Sequence, residues 1–236
     1  MSITILFLAV MATIVAWWLS RQRLMAKPWL EEGAIGDFPD TGASSLPAAK
    51  IGLGVFLAVV GSLFALLIGA YSMQMNMADW RPLPAPKLLW LNTGVLILSS
   101  VALQWAQVAA HRGQMDGVRA GLLAGGASAL AFLAGQLLVW QELTAAGYFL
   151  ATNPAYAFFY LITGVHGLHL LGGLVALGRT TDKVWRGFEV DQVRLSVELC
   201  TLYWHFLLLV WLFFFSLLAF SSWAGWIYSV CYGLLR

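Results

Sequence analysis

The chain has 236 residues, of which 61% are hydrophobic and only 10% charged. Soluble domains carry about 25% charged residues, so this composition excludes a self-sufficient water-facing surface and indicates an all-α membrane protein. The net charge of +2 is too near balance for nucleic-acid binding, and the two cysteines, Cys200 and Cys231, form no CxxC or Cys/His cluster of a zinc site or disulfide framework.

A helix needs roughly 20 apolar residues to cross the hydrocarbon core. Six runs qualify: Ile3–Leu19, Ile51–Met73, Leu88–Ala110, Ala120–Trp140, Ala155–Leu177 and Leu195–Phe220. The first lacks a basic n-region and is followed by Arg21-Gln-Arg23, so residues 1–20 are expected to be a retained transmembrane anchor, not a cleaved signal. Residues 21–50 hold Pro28, Pro39, Pro47 and several glycines and acids, and are expected to be a surface linker. Residues 51–220 then form a closely connected bundle of five spans. Residues 221–236 are short and rich in aromatics (Trp223, Trp226, Tyr228, Tyr232), which suits an interfacial tail.

Ten basic residues fall in loops 21–50, 111–119 and 179–194, against three (Arg81, Lys87, Arg236) on the other side. The positive-inside rule puts those three loops in the cytoplasm and both termini outside. No internal repeat stands out, which weighs against transporter folds built from two similar halves.

The candidate functional residues lie on the last two spans. His166 and His169 are three residues apart on one helix face. Around them Thr163, Gly164, Gly167, Gly172 and Gly173 form a small-residue surface suited to close helix packing. On the next span Glu198 and His205 are two turns apart, with Thr201 between them on nearly the same stripe. A structural polar cluster of His166, His169, Glu198, Thr201 and His205 is the favoured reading, ahead of proton handling or metal ligation. His111 lies at a loop, so three intramembrane histidines remain, one short of the four a di-haem b-type cytochrome needs. Asn92, Thr93, Ser99, Ser100, Gln104 and Gln136 are further intramembrane polar groups, and no spacing argument places Gln104 near a histidine-bearing helix.

The stretches Phe158–Gly173 (FFYLITGVHGLHLLGG) and Val197–Trp211 (VELCTLYWHFLLLVW) resemble subunit III of the haem–copper cytochrome c and quinol oxidases. Leu89–Ser100 and Gly52–Leu57 are similar to earlier spans of that family, so the resemblance covers roughly residues 50–220. It implies a five-helix core, preceded here by one extra helix. It also implies a non-redox accessory subunit that packs beside catalytic subunit I, with subunit II nearby. Haem and copper would be held by those partner chains and none by this one, and structural phospholipid would sit between its helices. Leu208 stands where many members carry an acid, and Val60 or its neighbour where many carry a membrane glutamate. The chain is therefore expected not to relay protons through its own membrane interior. The competing readings are a quinol oxidase subunit III, a nitric oxide reductase accessory protein, and, from another class, a stand-alone transporter.

Overall fold

The structure is a computed structural model, and it describes Thr13 and residues 48–233 apart from 76, 78, 82, 84, 85 and 189, with side chains of 48, 190–192 and 220–233 left out. The expected anchor 1–20 (Thr13, which is helical, excepted) and the linker up to residue 47 lie outside the described residues. Five helices follow: α1 (Ala48–Gln74), α2 (Lys87–His111), α3 (Met115–Ala145), α4 (Pro154–Trp185) and α5 (Val190–Gly233). All five are long and apolar enough to span a membrane, and no strand occurs among the described residues.

The chain divides after Leu66 into two compact units. In the first, the described part is most of α1, where Ser62 returns its hydroxyl to the Ala58 carbonyl at 2.9 Å and so hides its own donor in the helix. The second unit holds the last turns of α1 and α2 to α5. Tyr71, near the end of α1, packs edge-on against Trp80, Phe158 and Phe214. Within this unit α2 packs on α3 and α5, and α4 packs on α3 and α5. Each of these four helices thus packs chiefly on two others, which closes a ring around the core. The α5 span is the most enclosed: 50% of an 18-residue apolar stretch is buried, against 22% for the corresponding stretch of α1. That follows from its aromatic content: Trp204, Trp211 and Phe214 are each 1% exposed.

Several helices run beyond the expected spans. α4 continues to Trp185, and α5 already begins at Val190, so the expected loop 179–194 shrinks to residues 186–189. Arg179-Thr-Thr-Asp-Lys is polar, but polarity ends a membrane span, not a helix. Asp182 and Arg186 pair at 2.9 Å one turn apart, and Gly187 (φ 77°) stops the helix in the left-handed conformation. Likewise α3 starts at Met115, so the loop expected over 111–119 is only residues 112–114, turned by Gly113 (φ 72°). The residues expected as an interfacial tail continue α5 to Gly233: no proline interrupts 190–233, and Gly225 is accommodated within the helix. At 1.5 Å per residue, its 44 residues extend about 66 Å, well past the ~30 Å hydrocarbon core.

The start of α4 is capped by Asn153, whose Oδ1 accepts from the Ala155 amide at 2.9 Å with Pro154 at the first helical position. Its Nδ2 donates to the Asp79 carbonyl at 2.8 Å, which ties the segment before α2 to the α4 entry.

Candidate functional site

The polar side chains inside the bundle are spent mainly on joining helices. On α2, Thr93 and Ser100 lie two turns apart on one face, with Ser99 the neighbouring residue beside it. α5 lies antiparallel to that face. Trp211 Nε1 donates to Thr93 Oγ1 at 3.0 Å, and Trp204 Nε1 donates to Ser99 Oγ at 2.9 Å. Thr201 Oγ1 donates to the Leu103 carbonyl at 3.2 Å, besides bonding Val197 in its own helix. Ser99 Oγ in turn donates to the Gly125 carbonyl of α3 at 2.8 Å, so one fully buried hydroxyl ties three helices. Asn92 Nδ2 donates to the Phe132 carbonyl and to Gln136 Oε1, both on α3.

His166 stands inside the ring and is 1% exposed. Its Nε2 donates to the Leu207 carbonyl of α5 at 3.1 Å. Its ring lies 5.7 Å from Phe132 of α3 and 5.1 Å from Trp211 of α5. The position therefore locks α4 against two helices at once. His169 Nδ1 bonds the Val165 carbonyl in its own helix at 2.8 Å, while the His169 carbonyl accepts from the Tyr203 hydroxyl at 2.8 Å. Towards the Arg179 end, Thr180 Oγ1 and Cys200 Sγ stand 3.5 Å apart.

His205 turns to the opposite side of α5. Its Nε2 donates to Gln104 Oε1 at 2.9 Å, which leaves Nδ1 to accept from the Ser100 hydroxyl at 2.5 Å. Of the five residues expected to form one polar cluster, four have hydrogen bonds that run to different helices. His166 and His169 bond backbone carbonyls of α5 and α4, Thr201 and His205 bond α2, and Glu198 is half-buried on α5. The reason is geometric: α5 packs on two helices, and a residue's direction around the helix axis decides which one it meets.

The small residues of α4 also divide. A Cβ added to Gly173 would stand 2.7 Å from Tyr203 Cε1 and 2.8 Å from Trp204 Cζ3, so α5 needs glycine there. Gly164 and Gly167 meet Trp140 and Leu133 at ordinary contact distance, and Gly172 faces open space. Thr163 accepts from Trp140 Nε1 at 3.1 Å and donates to Phe159. A tighter small-residue seam lies on α3, at Gly117, Gly121 and Gly125, where added Cβ atoms would stand 2.6–2.8 Å from Ala109, Ala106 and Leu103 of α2. The four-residue spacing of those glycines was the available signal. Gly135, further along α3, makes a similar demand: a Cβ there would meet the Asn92 amide oxygen. Among the described residues no group of three or more His, Cys, Asp and Glu side chains could hold a metal ion.

The arrangement is a membrane-embedded scaffold of interlocked helices. The family model for Cytochrome c oxidase subunit III matches residues 51–224. Cytochrome c oxidase subunit 3 of Thermostichus vulcanus is 34% identical over 177 residues, covering 71% of this chain and 85% of that protein. That of Synechocystis sp. is 32% identical, covering 70% and 72%. The probable cytochrome c oxidase subunit 3 of Mycobacterium bovis is 34% identical over 149 residues, covering 60% and 71%. The matched region contains all of α2, α3 and α4 and the membrane span of α5, and on that extent the chain belongs to the cytochrome c oxidase subunit III family.

Proposed function

We propose that this chain is a non-redox accessory subunit of a haem–copper terminal oxidase, which stabilises the catalytic subunit and organises lipid beside it. The family match over residues 51–224 carries this reading. Its interior supports it: buried Ser99, Thr93, Trp204, Trp211 and His166 are engaged in helix-to-helix bonds. Cytochrome c is the favoured electron donor of the complex, because the relatives named above are cytochrome c oxidase subunits. Haem and copper belong to the partner subunits I and II. The complex sits in a bacterial cytoplasmic membrane, with the Arg112 and Arg194 ends of the helices towards the cytoplasm. The N-terminal run 1–20 adds an anchor outside the five-helix core.

The test is purification from native membranes with identification of the co-purifying chains, followed by selective depletion of this subunit. The expected result is co-purification with haem–copper subunits, near-normal initial turnover after depletion, and faster inactivation during continuous turnover. An immediate large loss of proton uptake, reproduced by Glu198→Gln alone, would refute a structural role.

A further inference from the structure

His205 is 11 residues beyond Arg194, about 16 Å along the α5 axis, and Gln104 is eight residues before Arg112, about 12 Å along α2. Both charged residues mark the same end of the bundle, because α2 and α5 are antiparallel. In a hydrocarbon core about 30 Å thick, this places the His205 and Gln104 side chains near the middle. Yet both residues are exposed on the surface of the chain. The His205 ring is satisfied on both nitrogens, by Gln104 and Ser100. Gln104 spends its Oε1 on that ring, and its Nε2 amide group has no partner among the described residues. Two N–H donors are thus held outward at a depth that neither water nor a lipid headgroup reaches, where leaving them unbonded is unfavourable. Around them Val101 (59% exposed) and Trp105 (54% exposed) supply an apolar rim.

We propose that Gln104, held in place by His205 and Ser100, is the docking point for a membrane-spanning helix of another oxidase subunit that presents a hydrogen-bond acceptor at mid-bilayer depth. This rests on the accessory-subunit reading and adds to it which face is covered and by what chemistry. The occupant is a helix because a helix is the element that carries fixed side-chain acceptors to that depth. It offers an acceptor because donors are what the chain leaves free. His205 and Ser100 are positioning residues: they fix the amide so that its N–H groups face outward.

The test uses the intact complex in native membranes, with the photo-crosslinking residue benzoylphenylalanine at Val101 and, as a control, at exposed Leu168 of α4. The Val101 probe is expected to join this chain to a different membrane-spanning oxidase subunit, with a yield at least several-fold above that from Leu168. Gln104→Leu is expected to lower the yield about threefold to twentyfold, the range of one interhelical hydrogen bond in a membrane, while Gln104→Asn restores part of it. Cross-links from Val101 only to lipid, or to a second copy of this chain, would overturn the proposal in a complex that still contains the subunit. So would a Gln104→Leu yield equal to the unsubstituted chain's. Failure of the unsubstituted chain to co-purify with any haem–copper subunit would instead overturn the accessory-subunit reading, and this proposal with it.

Discussion

Replacing His166 by alanine and, separately, by leucine separates a structural histidine from a functional one. The alanine variant removes about 60 Å³ of side chain from a site with 1% exposure, between Phe132 and Trp211. At about 24 cal/mol per Å³ of residual cavity, that costs about 1.5 kcal/mol. The bond from Nε2 to the Leu207 carbonyl adds about 0.6 kcal/mol, the average for an interhelical hydrogen bond in a membrane protein. The total is about 2 kcal/mol. Leucine is close to histidine in volume and fills most of the cavity, so its cost is expected near the hydrogen-bond value alone. The Leu207 carbonyl stays within the α5 ladder, so neither variant leaves it without a donor. The assay is unfolding of the full chain in mixed micelles by a denaturing detergent, followed by tryptophan fluorescence, with oxidase turnover measured on the complex. Equal losses for the two variants would refute the packing argument. So would an immediate fall in turnover for His166→Leu while the subunit remains bound.

Gly121→Ala is expected to cost about 1–3 kcal/mol in the same assay, because the new Cβ would stand 2.6 Å from Ala106 Cβ and 2.8 Å from the Ala102 carbonyl. Gly172→Ala, which meets nothing within 4 Å, is its control and should leave stability unchanged or slightly raised. Asn153→Ala removes both the α4 cap and the bond to Asp79, and is expected to cost about 0.5–2 kcal/mol. Faster amide exchange confined to the first turn of α4 would accompany that loss, and unchanged exchange there would count against the capping role.

The five described spans were legible because apolar length is a direct physical requirement of the bilayer. Their ends were not, because helix α4 outlasts its apolar run: Thr180, Asp182 and Lys183 are compatible with helix in water, and only Gly187 forces the stop. At the site, Thr201 and His205 were recognisable as groups needing partners. Which helix supplied them was not, since periodicity gives a residue's direction around its own axis but not the neighbour found there. Gln104 illustrates this: nothing in the spacing ties it to His205, 101 positions away, until α2 and α5 are laid antiparallel. The small-residue surface on α4 was legible as composition, but only Gly173 is pressed by α5, whereas the closer seam runs along α3.

The three-helix junction at Ser99 also carries an order of events. Two hydroxyl bonds lie within α2 and α3 (Ser99 to the Gly125 carbonyl, Thr93 to the Leu89 carbonyl), so an α2–α3 hairpin formed ahead of α5 would have those two hydroxyl protons satisfied. What remains on each oxygen is a lone pair, a far smaller burden in hydrocarbon than an orphaned N–H. The indoles of Trp204 and Trp211 bring the complementary donors and arrive last. A ribosome-bound chain ending before α5 would thus be a tolerable lodger in the membrane. An α5 released without the hairpin would not be, since its two indole protons would have to find some other acceptor. The asymmetry makes the earlier helices the template and the last one the latch.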